Sequence, residues 1–280
     1  MPSQILAYKI TRSGIEELNT DLPDFDSITT SLPTGLYTTF RTYAARTRVI
    51  GLRAHLERLY LPAKAQGIVP TLRKQDALRG VLFDLLQGLN APEARVRLIM
   101  DTSVESGIMY VLMQPMQALP AEIYSKGVHL EISKTSREQP SLKQTAFISE
   151  SAFDRTRVGG EIFEVLLTNK GRILEGMTSN FFYVRDGMLC TVGRGVLIGV
   201  TRQTVIALAK QAEIKVCFKA LALTEFPFIE ETFITSSSRG VVPVVQIGEQ
   251  PIGNGQVGIM TRKLMDLYET EVLALAEEII

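Results

Sequence analysis

Lys143, Glu175 and a scatter of small hydroxyl residues are the positions of this chain best suited to chemistry. Lys143 lies in Gln139-Pro140-Ser141-Leu142-Lys143-Gln144-Thr145-Ala146-Phe147, flanked by Leu142 and the Ala146-Phe147 pair. Partial desolvation there would lower the pKa of the amine and favour the neutral form that attacks an aldehyde. A lone lysine in such a setting is ordinarily a solvated surface group, so its companions decide. Glu175 stands between Leu174 and Gly176, where a buried carboxylate must find a cation or a protonated nitrogen. The plainer alternative is a β-turn carboxylate. Gly199-Val200-Thr201-Arg202 opens a helix whose apolar face includes Val205, Leu208, Ala209 and Ala212. A helix N-terminus presents unpaired amides and a preceding glycine admits an anion, so backbone and Thr201 hydroxyl suit a phosphate; an ordinary Thr N-cap is the alternative. Thr235-Ser236-Ser237-Ser238-Arg239-Gly240 ends an expected strand with groups common to a phosphate cradle and a plain loop. Together these features suit a phosphorylated heteroaromatic cofactor.

Such side chains need a scaffold. Residues 35–43 and 47–51, rich in aromatic and β-branched types with a polar break, read as paired strands. A helix is expected over about residues 53–67: Leu52, Leu56, Leu59 and Tyr60 recur at helical spacing, while His55 and Arg58 share an adjoining stripe and can point at one object. A second helix is expected over about 74–89, then strands at 95–100 and 107–114. Residues 114–120 carry two prolines without clear periodicity and form the candidate linker. Strands follow near 128–133, 164–169 and 181–185, then the helix from Thr201 and a strand at 231–235. The pattern predicts two α+β domains: a small N-terminal domain (1–115), a linker (116–121) and a larger C-terminal domain (122–280).

With 280 residues and 45% hydrophobic content, the chain can bury a sizeable core. Thirty basic residues balance thirty acidic ones, which leaves no bulk field for nucleic acid or an anionic membrane and favours a small-molecule partner. Cys190 and Cys217 are separated by the expected helix, so a disulfide between them has weak support; with only His55 and His129, no metal-ligand cluster is expected. No window approaches the length of a bilayer span, and the N-terminus lacks a basic segment followed by an apolar run. A soluble, unprocessed protein of the reducing cytoplasm is the expectation.

Five ordered motifs resemble those of the fold type IV pyridoxal-phosphate enzymes, the class IV aminotransferases. They are His55-Leu56-Glu57-Arg58-Leu59, the lysine at Lys143, Leu174-Glu175-Gly176 with Ser179-Asn180-Phe181, Gly199-Val200-Thr201-Arg202, and Thr235-Ser236-Ser237. The resemblance implies an α+β fold with a small N-terminal α/β domain and a larger C-terminal domain, β-barrel-like in its core, that carries the cofactor lysine. It implies pyridoxal 5′-phosphate, with Lys143 as covalent anchor and as the acid and base that moves the substrate proton. Glu175 would face the pyridine nitrogen and keep it protonated, making the ring an electron sink. Arg58, Val200, Thr201 and Ser237 would hold the phosphate, with Ser179 and Asn180 also at the cofactor. His55 would support that region. The family further implies a cofactor between the two domains and a homodimer whose partner completes the pocket.

Family members that act on branched-chain amino acids tend to carry Tyr-Gly and Phe-Glu-Gly where this chain reads Leu32-Pro33-Thr34-Gly35-Leu36-Tyr37-Thr38-Thr39-Phe40-Arg41. A Thr-Thr pair followed one residue later by Arg is similar instead to aminodeoxychorismate lyases, in which a hydroxyl assists pyruvate elimination. The tyrosine often found five residues after the lysine is Ile148 here. The leading expectation is ping-pong transamination between a hydrophobic, branched-chain-like amino acid and a 2-oxo acid; the alternative is a lyase releasing pyruvate to give 4-aminobenzoate. Arg41, Arg97, Arg137 and Arg239 are candidates for the substrate carboxylate, Arg41 and Arg239 foremost, with Tyr37 and Thr38 beside the substrate.

Overall fold

The computed structural model describes residues 5–133 and 142–280. Its elements run β1 (Leu6–Ile10), β2 (Ile15–Glu17), α1 (Phe25–Ser31), β3 (Gly35–Arg41), β4 (Arg48–Ile50), α2 (Leu52–Ala65), α3 (Gln75–Gln87), β5 (Ala94–Asp101) and β6 (Met109–Pro115). Then come α4 (Ala121–Lys126), β7 (Val128–Ser133), α5 (Ala146–Glu150), α6 (Ala152–Thr156), β8 (Ile162–Asn169), β9 (Arg172–Gly176), β10 (Asn180–Arg185) and β11 (Met188–Thr191). The last are α7 (Val200–Gln211), β12 (Val216–Phe218), β13 (Glu231–Ser236), β14 (Gly240–Ile247), β15 (Gln250–Pro251), α8 (Ile259–Leu275) and β16 (Ala276–Glu278). The chain divides into two compact units: Met1–Gln117 with Leu142–Glu150 and Val272–Ile280, and Ala118–Ser141 with Ser151–Glu271.

The first unit is built on an antiparallel sheet in the order β2-β1-β6-β5-β3. Strand alternation sorts its two faces. Leu36, Phe40, Val96, Leu98 and Met100 pack against the leucine stripes Leu52, Leu56, Leu59 of α2 and Leu78, Leu82, Leu86 of α3. Tyr37, Ile99, Tyr110 and Leu112 face the other way, toward Phe25 and Ile28 of α1 and Ile148 of α5. α1, unforeseen in the sequence, starts at Asp24, whose side chain accepts the Ser27 N–H at 2.8 Å.

The lysine belongs to this unit and not to a C-terminal domain of 122–280. Residues after Leu142 return to the open edge of β3: Tyr37 N–H donates to Lys143 O and Thr145 N–H to Gly35 O, each at 2.8 Å, while Gly35 N–H donates to Thr145 Oγ1 at 2.9 Å. Such edge pairing satisfies backbone groups that would otherwise be stranded. β16 likewise returns to pair with β4, so the predicted cut after 115 does not by itself separate the units.

In the second unit the sheet runs β12-β11-β10-β13-β14-β7-β8-β9, with β15 on β14. β9 and β10 are joined by Met177–Ser179 alone, yet four other strands lie between them in the sheet. Laid flat, five strand spacings would need about 24 Å, whereas the connection reaches about 14 Å at most. The sheet must therefore curl back on itself, giving the barrel-like core, filled by Leu130, Leu166, Ile173, Phe181, Tyr183, Ile234, Val242 and Val244. Cys190 and Cys217 are joined in a disulfide. The expected helix between them, far from keeping them apart, is the crossover that sets β11 and β12 side by side in parallel with these two residues in register.

Candidate active site

In the first unit, Lys143 is half-buried and its Nζ lies 4.8 Å from the centre of the Tyr37 ring. The Arg97 guanidinium lies 4.9 Å from the same ring. Lys143 and Arg58 both act electrostatically on His55, which is fully buried on α2 one turn before Arg58. Burial first, then these two positive charges, hold the imidazole pKa well below its usual 6.5, so His55 is neutral and its Nδ1 pairs with Thr38 Oγ1 at 2.6 Å. The His55–Thr38 bond ties α2, which also carries Arg58, to β3.

Thr38 was expected beside the substrate together with Tyr37. Adjacent strand residues point to opposite faces, and Thr38, fully buried, faces α2 with Leu36 and Phe40. Arg41 pairs with Glu93 through Nε at 2.7 Å and Nη2 at 2.6 Å. Arg97 is enclosed by Phe25 O, Asp26, Thr29 and Thr39. Arg137 lies outside the described residues.

In the second unit, Glu175 is no turn residue. It sits in β9 opposite Leu167 of β8, 3% exposed, and its Oε2 accepts the Leu197 N–H at 3.1 Å. Asn180, at the start of β10, donates through Nδ2 to Leu197 O at 2.7 Å. Residues 192–199 then lead into α7, whose N-cap is Gly199 with no side-chain cap, so the plain Thr-cap reading of Thr201 gives way to a helix end with open first-turn amides at Val200 and Thr201. Gly199 has an ordinary φ of −66°; its need is space, because a Cβ would lie 2.1 Å from Asn180 Oδ1.

Two buried hydroxyls near these residues, Ser179 Oγ and Thr235 Oγ1, have no hydrogen-bond partner among the described residues. Thr235 is the register partner of Asn180 across β10 and β13. A water or a polar ligand completes the bonding of such buried hydroxyls. Ser237 lies in the turn between β13 and β14. Arg239, from that turn, donates to Glu164 Oε2 at 2.9 Å and to Thr178 Oγ1 at 2.6 Å. Sequence reasoning overlooked Leu197, a plain apolar residue whose backbone joins Glu175 to Asn180, and no side-chain pattern could have revealed it. Among the described residues no group of three or more His, Cys, Asp or Glu could hold a metal ion, and no helix is long and apolar enough to cross a membrane.

Residues 35–247 match the family model of amino-transferase class IV. A Methanocaldococcus jannaschii protein provisionally named a branched-chain-amino-acid aminotransferase is 30% identical over 236 residues, 79% of this chain and 82% of that one. A Thermotoga maritima structure with the same provisional name superposes with a TM-score of 0.80 at 28% identity, covering 95% of this chain and 96% of that one. The T.th. branched-chain amino acid aminotransferase, solved with pyridoxamine 5′-phosphate, has the same fold, with a TM-score of 0.81 at 21% identity and 98% of each chain covered. With a half-buried lysine, a buried carboxylate and an open helix N-terminus already in place, this chain belongs to the class IV aminotransferase family.

Proposed function

We propose that this enzyme transfers an amino group between a hydrophobic, branched-chain-like amino acid and a 2-oxo acid in two half-reactions, with pyridoxal 5′-phosphate as cofactor. One observation carries the proposal: Glu175 is a buried carboxylate anchored to a backbone N–H, suited to a pyridine N–H. The residues fit the cofactor further in the uncapped α7 terminus and in the orphaned hydroxyls of Ser179 and Thr235. When bound, the cofactor supplies an aldehyde carbon that takes up the amine and a ring that draws electron density from the substrate Cα.

The protein's own groups do the rest. Lys143 Nζ would hold the cofactor and, as a free amine, would carry the proton taken from the substrate Cα to the cofactor's aldehyde carbon. Glu175 keeps the proton on the pyridine nitrogen. Arg58, the Val200 and Thr201 amides, the Thr201 hydroxyl and Ser237 bind the phosphate. Tyr37 walls the substrate side and rests against Lys143. Arg41 and Arg239 are already paired with Glu93 and Glu164, so a substrate carboxylate would share either guanidinium with that glutamate or displace it. The names of the relatives support a branched-chain donor. The lyase alternative is weakened because Thr38, one hydroxyl of its Thr-Thr pair, is engaged with His55.

The test is an absorbance titration of purified protein with pyridoxal phosphate, then with L-leucine, L-glutamate and D-alanine separately. Conversion to the pyridoxamine form with release of the matching 2-oxo acid is expected for L-leucine; pyruvate release from aminodeoxychorismate, with no pyridoxamine formed, would install the lyase instead. Lys143→Ala should abolish covalent cofactor binding and lower turnover by about 10³-fold. A variant with full activity would refute the assignment. A homodimer is expected from light scattering. A cytoplasmic location is tested by trapping thiols in cells, since a Cys190–Cys217 disulfide is uncommon in a reducing compartment.

A further inference from the structure

The loop from β11 to α7 is held at one residue from two sides. Leu197 gives its N–H to Glu175 Oε2 at 3.1 Å and receives Asn180 Nδ2 on its carbonyl at 2.7 Å. Two residues on, Gly199 leaves the room that Asn180 Oδ1 occupies, since a Cβ there would lie 2.1 Å from that oxygen. Asn180 is 5% exposed and therefore cannot trade these contacts for water. One amide thus touches the residue that binds the carboxylate and the residue that caps the helix.

We propose that Asn180 is a positioning residue that fixes the span between the Glu175 carboxylate and the first amides of α7 by holding Leu197 and Gly199 in place. This rests on the reading that Glu175 takes the pyridine nitrogen and α7 the phosphate, and it gives Asn180 a different task from direct contact with the cofactor. A ligand with two ends gains from both sites only when their separation is set in advance; otherwise part of the gain is lost in ordering the loop. Asn180 should therefore matter for the joined ligand and little for either end alone.

Three probes separate these cases: pyridoxine 5′-phosphate, pyridoxine and inorganic phosphate. None carries an aldehyde, so Lys143 forms no bond to them and turnover plays no part. Their dissociation constants are measured by calorimetry on the full-length cofactor-free protein, wild type, Asn180→Ala and Gly199→Ala, with circular dichroism to show that each is folded. Gly199→Ala keeps the Asn180 amide but drives a methyl group into it, and so serves if Asn180→Ala does not fold. The expected result is a loss of about tenfold or more for pyridoxine 5′-phosphate, with each fragment within about twofold of wild type. Two results would overturn the positioning role: no loss for the joined ligand, or a loss in one fragment that accounts for all of it, as direct contact would give. Wild-type protein that binds none of the three would overturn the cofactor site itself.

Discussion

Two buried arginines, one in each unit, are treated in opposite ways. Arg97 in the first unit is 4% exposed; its Nη1 donates to Phe25 O, Asp26 Oδ1 and Thr29 Oγ1 at 3.1, 2.7 and 2.8 Å, and its Nε to Thr39 Oγ1 at 3.0 Å. Its guanidinium also lies against the Phe25 and Tyr37 rings. Arg202 in the second unit is 3% exposed; it donates from Nη2 to Val192 O at 2.7 Å and from Nη1 to Gln203 Oε1 at 3.3 Å, and its Nε has no partner among the described residues. Burial pushes its pKa down while the charge of Glu175 pushes it back up. A guanidinium whose Nη1 and Nε reach four acceptors, three of them on α1, is a rivet between α1 and the sheet. One left short, beside an open helix end, belongs to a region shaped for something other than its own stability.

The comparison is most exposed to Arg97→Met. Removing the guanidinium takes a donor from the Phe25 carbonyl, from the Thr29 and Thr39 hydroxyls and from the Asp26 carboxylate, so the variant should lose about 3 kcal/mol of unfolding free energy, discounted for the partial exposure of Asp26. Urea titration of cofactor-free protein measures it. A loss under about 1 kcal/mol would mean the dense bonding contributes little, and the contrast with Arg202 would disappear.

His55 sharpens the same contrast, because the first unit accommodates this third buried base by keeping it neutral. Its folded pKa is depressed, so below pH 6.5 the unfolded chain binds a proton that the folded chain does not. The associated stability is intact above that pH and falls as pH drops from 6.5 toward the folded value, with a slope of up to about 1.4 kcal/mol per unit. Denaturant titrations at several pH values compare wild type with His55→Gln. Equal slopes over pH 5 to 6.5 would show that His55 is protonated in the fold and that its bond to Thr38 is not that of a neutral ring.

Local periodicity made the leucine stripes of α2 and α3 and most of the sheet strands legible, since each writes its buried face into its own segment. The same rule should have kept Tyr37 and Thr38 apart, because strand neighbours cannot both face one ligand. Other features have distant causes. α8 is begun by Glu231, which accepts the Met260 and Thr261 N–H groups at 3.0 and 2.7 Å, and Gly258 leaves space for that carboxylate; within the helix only Thr261, Leu264 and Tyr268 are buried, too thin a stripe to recognise. The place of Lys143 depends on hydrogen bonds between Gly35 and Thr145, 110 positions apart, and no window of sequence contains both. The motif around Glu175 was readable by residue type, but its burial in a strand came from pairing with β8.

The smallest expected effect is also the most discriminating. Arg202→Met replaces the guanidinium by an apolar chain of similar reach that can still pack against Phe218, whose ring lies 5.9 Å from the guanidinium in the native protein. The change removes a buried charge with an orphaned Nε and leaves the Val192 carbonyl unpaired, two terms of opposite sign. The cofactor-free protein should therefore change by no more than about 1 kcal/mol in the urea titration used for Arg97→Met. A loss as large as that of Arg97→Met would mean that Arg202 is as much a rivet as Arg97. A change near zero, with Arg97→Met strongly destabilised, would show that similar burial carries opposite consequences, decided by how many donors the fold itself engages.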